Sequence, residues 1–184
     1  MKEINMLERM KELQDEVSIL RVNYWIEEVL FSFQWWFLVI SMFIFVYIWI
    51  KIVDQTKLVK ILLYGSISFS IINFLDVLGS EFILWDYPAM IIPGGSRIIC
   101  INIIITIIFM TLYQYFNSWK TYLIASTVTS LTFSFVLEPL AIFMDIYQPY
   151  TWEHIYSFPI YILIMVSVKW FVDKLVFVQA KHKQ

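Results

Sequence analysis

The 184-residue chain is 60% hydrophobic and 19% aromatic, with a mean hydropathy of +0.73, which excludes an ordinary water-soluble globular domain. A formal charge of -2 offers no basic field to attract nucleic acid. The single cysteine, Cys100, can form no internal disulfide and rules out cysteine-rich zinc or iron–sulfur centres. The class that remains is an all-α integral membrane protein.

Residues 1–30 read as an amphipathic N-terminal helix. Charges run through residues 1–28, so no apolar stretch is available for a cleavable signal peptide and the spans must direct insertion. Met6, Met10, Leu13, Val17, Leu20 and Tyr24 recur at a 4-3-4-3-4 spacing that gathers them on one seam, with Glu8, Arg9, Glu12, Asp15, Glu16 and Arg21 outside it. Such a seam packs on the protein's own spans, lies on the bilayer surface, or zips to a partner. In the third reading residues 6–24 join a homo-oligomer or a second membrane protein.

Five transmembrane helices are expected within a domain over 31–178, at about 31–50, 58–79, 97–116, 122–144 and 155–177, each near the roughly 20 apolar residues that cross a bilayer. Pro93, Gly94 and Gly95 should break any helix begun at Tyr87, which leaves a short re-entrant or interfacial turn over residues 85–95. Residues 179–184 form a basic cytoplasmic tail. Lys51, Lys57, Lys60, Lys120, Lys169, Lys174, Lys181 and Lys183 fall on one side of this arrangement, whereas on the other only Arg21 and Arg97 lie close to a span. The positive-inside rule then puts the C-terminus in the cytoplasm and the N-terminus outside, in a multi-pass protein of a bacterial cytoplasmic membrane.

The fourth span carries Glu138 directly before Pro139. A carboxylate in hydrocarbon costs roughly 2.5 to 3.5 kcal/mol on insertion scales, so intramembrane acids face protein or water and are functional candidates. The proline removes one N–H, frees the Phe135 carbonyl and should break the helix there. Thr127, Ser130, Ser134, Glu138 and Asp145 share one face of that span, and Ser66, Ser70, Asn73, Asp76 and Ser80 one face of the second; the two polar stripes are expected to face each other or a cavity. Arg97 should pair with Glu138 or Asp76. The resulting ligand-pocket candidates are Asn73, Asp76, Arg97, Ser134, Glu138, Asp145 and His154, all in the outer third of the membrane, with Glu138 the one candidate catalytic group. Glu153 and His154 are adjacent and lack the ligand spacing of a helical zinc motif, so neither a metal nor a cofactor is expected. The inner half holds almost no acid, which argues against a cation or proton pathway.

The span region, through Trp85, Tyr87 and Pro88, Pro93-Gly94-Gly95 with Arg97, the run Tyr113 to Lys120, Glu138-Pro139, and Trp152, His154 and Tyr156 to Pro159, resembles a family of uncharacterised small multi-spanning membrane proteins of endospore-forming Firmicutes. The resemblance covers about residues 30–175 and implies a helical multi-span fold in a bacterial cytoplasmic membrane. A fainter likeness, to lycopene cyclase domains, rests on small apolar spans with a Pro/Glu pair, here in the order Glu-Pro without the expected second acid.

No phosphate-cradling glycine loop, nucleophile elbow or His-Glu-x-x-His is present. The expected function is therefore that of a partner-binding, assembly or sensory subunit with an outward-facing polar pocket. The alternative is a membrane-embedded lipid- or isoprenoid-directed enzyme with Glu138 as general acid.

Overall fold

A computed structural model describes residues 5–94 and 98–181, and apart from one two-residue strand pair their regular structure is helical. Four helices are long and apolar enough to cross a membrane: Phe33–Ile52, Gln55–Glu81, Trp119–Phe143 and His154–Lys181. A helix satisfies its own backbone hydrogen bonds, the condition for surviving where no water can replace them.

The first helix, α1 (Met6–Tyr24), starts at a capping box in which the Asn5 N–H donates to Glu8 and the Asn5 side chain accepts from the Leu7 N–H. It passes into a π-turn (Trp25–Val29) and ends before Phe31, whose φ of 65° turns the chain into the bundle. None of α1 is buried: Met6, Met10, Leu13, Val17, Leu20 and Tyr24 are all exposed, so the seam does not pack on the protein's own spans. Residues 1–4 of the expected segment lie outside the described residues.

Helix α2 (Phe33–Ile52) begins where Ser32 accepts the Trp35 N–H at 3.2 Å, two residues later than the hydropathy alone suggests. Asp54 caps the short turn Gln55–Lys57 through the Thr56 N–H (3.0 Å) and hydroxyl (2.6 Å), and these bonds hold its carboxyl below the usual range. From there α3 (Leu58–Glu81) rises to the far end. The segment that follows is not helical before residue 95, as Pro93 and Gly94 require. It is clamped: the indoles of Trp25 and Trp35 both donate to the Ile91 carbonyl, at 3.1 and 3.3 Å, and β1 (Trp85–Asp86) pairs antiparallel with β2 (Gln148–Pro149) in the register Trp85↔Pro149, Asp86↔Gln148.

Helix α4 (Ile99–Tyr115) has 17 residues. Its Asn102 bonds to Asn73 and Asp76 in the second half of α3. Near its other end, Gln114 accepts the Asp54 N–H at 2.9 Å and donates to the Ile52 carbonyl at 3.0 Å. The helix therefore runs antiparallel to α3 from the β-pair end of the bundle to the opposite one.

Helix α5 (Trp119–Thr132), capped by Ser118, leads through a π-turn (Phe133–Leu137) into α6 (Glu138–Phe143), a single rod of 25 residues. Pro139 does not break it. The Glu138 N–H reaches back five residues to the Phe133 carbonyl, so the expected break is instead a π-bulge. The last helix, α7 (His154–Lys181), extends beyond the expected stop at 177, and residues 182–184 of the basic tail lie outside the described residues.

Two apolar clusters fill the bundle, one around Tyr64, Phe109, Tyr122, Met165 and Val172, the other joining Leu38 to Ala89, Ile91, Ile98, Cys100 and Ile146 beneath the clamped loop. A Cβ at Gly79 would collide with the indole of Trp85, which the strand pair and an edge-on contact with Trp152 (4.9 Å between centroids) hold in place. Gly79→Ala should thus cost about 1–3 kcal/mol through overpacking. Gly94→Ala, which meets open space, should cost far less. Unfolding followed in detergent checks this ranking, and equal losses would contradict it.

Candidate functional site: two polar clusters at opposite ends of the bundle

At the β-pair end the acids are arranged in two sets. Asp76 on α3 is 7% exposed and accepts the Tyr87 hydroxyl on one oxygen and the Asn102 amide, at 3.2 Å, on the other; Asn102 also donates to Asn73 at 3.2 Å. Burial raises the Tyr87 phenol well above its ordinary pKa, and the neighbouring Asp76 charge adds to this, so Tyr87 remains a donor. Glu138 on α6 faces α7, where His154 Nδ1 lies 2.7 Å from one carboxylate oxygen and the Tyr161 hydroxyl donates to the other at 3.4 Å. Tyr147 stacks at a tilt on Tyr87, 5.7 Å between centroids. Its phenol is raised first by burial and then by the charges of Glu138 and Asp76.

Several expected residues therefore meet. Asn73 and Asp76 both accept from Asn102, and Glu138 joins His154. Arg97 lies outside the described residues, and Glu138 finds its partner on α7. Ser134 is fully buried on the α5–α6 rod. Asp145 leaves the cluster: it sits exposed in a turn with φ of 54°. The stripe on α3 also divides. Ser66 and Ser70 are exposed, and the Ser70 hydroxyl bonds to its own helix at the Ser66 carbonyl, 2.8 Å away. At about 100° per residue, Asp76 lies about 80° around the helix from Ser66, enough for one to be buried while the other is exposed.

The opposite end of the bundle, where almost no acid was expected, holds one. Asp173 on α7 accepts from Lys60 Nζ (2.8 Å), Lys169 Nζ (3.1 Å) and the Tyr113 hydroxyl (2.7 Å). Lys169 is 3% exposed and lies among rings, its Nζ 4.9 Å from the centroid of Tyr113, 5.0 Å from that of Tyr122 and 5.3 Å from that of Trp119. Tyr113 stacks on Tyr64 at 4.3 Å, and the Tyr64 and Tyr122 hydroxyls are 2.8 Å apart. The spacing of Lys169 and Asp173, one helical turn, is the sequence signal for this pair.

Between the two clusters the face of α5 turned inward carries Ser126 and Ser130, both fully buried; such small side chains let two helices approach closely, and α5 packs along α7. Among the described residues no three His, Cys, Asp or Glu side chains converge to hold a metal ion. Comparison with protein-family models, with curated proteins and with solved structures finds no match for this chain.

Removing Asp173 strands the buried Lys169 without its carboxylate, whereas removing Lys60, whose side chain is 36% exposed, leaves the Lys169–Asp173 pair whole. We expect Asp173→Asn to lower stability in detergent by about 3 kcal/mol and Lys60→Gln by about 1 kcal/mol or less. Thermal unfolding of the two variants tests this, and equal losses would show that the pair is not the anchor of this end.

Proposed function

We propose that the chain is an assembly or sensory subunit of a bacterial cytoplasmic membrane, crossing the bilayer five times and gripping its partner with α1. The observation that carries this reading is that α1 has an apolar row at 4-3-4-3-4 spacing and buries none of it. A helix about 28 Å long, at 1.5 Å per residue, that leaves such a row uncovered has its covering surface elsewhere. Charge favours a protein over the bilayer surface. Helices that lie on membranes are rich in Lys and Arg, whereas α1 carries Glu8, Glu12, Asp15 and Glu16 against Arg9, Lys11 and Arg21.

The partner's place is an open groove of about 410 Å³ with Val17, Leu20 and Tyr24 on one wall and Tyr87, Met90 and Tyr150 on the other. An occupant there touches Tyr87, whose hydroxyl is bonded to Asp76, so binding is coupled to the buried polar layer; this supports the sensory part of the reading. The resemblance to small membrane proteins of endospore-forming Firmicutes supports the bacterial setting, and the lysine distribution supports an external N-terminus and a cytoplasmic C-terminus. At 17 residues α4 is at the short end of the range for a crossing. Its hydrogen bonds to both ends of the bundle support counting it as the fifth.

Glu138 as a general acid is the weaker reading. Both its oxygens are engaged by His154 and Tyr161, and the groove beside α1 is lined by other residues.

Replacing Met10, Leu13, Val17 and Leu20 together by Gln should dissolve the complex extracted in mild detergent into single chains on native electrophoresis. Because all four side chains are exposed, the unfolding temperature of the single chain should hardly move. An oligomer of unchanged size would sink the proposal.

A further inference from the structure

At the lysine end, positive charge exceeds what the surrounding carboxylate balances. Asp173 has both oxygens occupied, by Lys60, Lys169 and the Tyr113 hydroxyl, so two ammonium groups share one negative charge. Lys174, the next residue along α7, extends over the ring of Trp170, 4.9 Å from its centroid, and brings a third cation to this level.

Beside this cluster lies an open groove of about 710 Å³. Ile67 and Ile71 of α3 and Val166 and Phe171 of α7 give it apolar walls, and Trp119 and Trp170 also line it. The same two indoles touch the cations: Trp119 lies 5.3 Å from Lys169 Nζ and Trp170 lies 4.9 Å from Lys174 Nζ. The walls belong to helices long and apolar enough to cross a membrane, so the material available to fill the groove is lipid. Apolar walls, two indoles at headgroup level and surplus ammonium groups match an amphiphile with a long acyl chain and a net negative head.

We propose that this groove is a binding site for an anionic phospholipid, with one acyl chain between Ile67, Ile71 and Phe171 and the phosphate facing Lys60 and Lys174. A zwitterionic lipid fits less well, because its own cation would lie among the lysines. Free phosphate has no chain to fill the groove. The site is independent of the partner-binding reading, being at the other end of the bundle from the groove beside α1.

Delipidated protein in detergent would be titrated with dioleoyl phosphatidylglycerol, dioleoyl phosphatidylcholine or inorganic phosphate, with thermal unfolding and native mass spectrometry as readouts. Phosphatidylglycerol should raise the unfolding temperature and appear as a retained adduct, and the other two should do neither. Lys60→Gln with Lys174→Gln should weaken the effect about tenfold or more, since each basic group near a headgroup contributes about 1 kcal/mol. Ser167→Trp, at an exposed position on the groove wall, should abolish the effect while leaving the lipid-free unfolding temperature near that of the wild type. Equal stabilisation by phosphatidylcholine would overturn the headgroup assignment. A wild-type response in either variant would overturn the site, and stabilisation by inorganic phosphate alone would reduce it to an ion site without an acyl chain.

Discussion

In hydrocarbon a polar group has no water to fall back on, so each carboxylate, amide or ammonium carried into the bundle must arrive beside its partner. This constraint explains why helices distant in sequence are neighbours. Asp76 needs the Tyr87 hydroxyl and the Asn102 amide, which ties α3 to the clamped loop and to α4. Glu138 needs His154 and Tyr161, which fixes the α5–α6 rod against α7. Asp173 gathers Lys60, Lys169 and Tyr113 and so joins α3, α4 and α7 at the far end. The apolar clusters between supply bulk and close packing. Register comes from the polar groups at either end.

Much of this was legible in the residues. Long apolar runs marked four of the rods, and Pro93 with Gly94 correctly marked the interruption before α4. The helix starts were misjudged by a few residues where a cap decides: Ser32 and Ser118 each offer their oxygen to the backbone N–H three residues on. Pro139 was correctly seen as a disturbance and wrongly as a break, because the remedy, one extra residue in the turn, leaves no mark of its own in the sequence.

The site was legible in its members more than in its pairings. Glu138, His154, Asp76 and Asn73 stand out as polar residues in apolar runs, yet their partners depend on which rods are adjacent. Ser66 and Ser70 misled because a hydroxyl can satisfy itself on its own helix and so says little about what it faces. Asp173 was passed over although it lies one turn from Lys169. Only the convergence of Lys60 and Tyr113, which depends on the neighbouring rods, makes it a centre. The row on α1 was legible as a pattern, but a pattern cannot say whether its cover belongs to the same chain.

The account stands on the two polar clusters lying at opposite faces of the membrane, with α4 as a full crossing between them. Single cysteines in a Cys100→Ser background, probed with a membrane-impermeant maleimide on intact spheroplasts, test this directly. Cysteines at Gln14 and Gln148 should be labelled from outside, and those at Gln55 and Asn117 only after the membrane is permeabilised. Labelling of Asn117→Cys on intact spheroplasts would put both ends of α4 on one face and contradict the account.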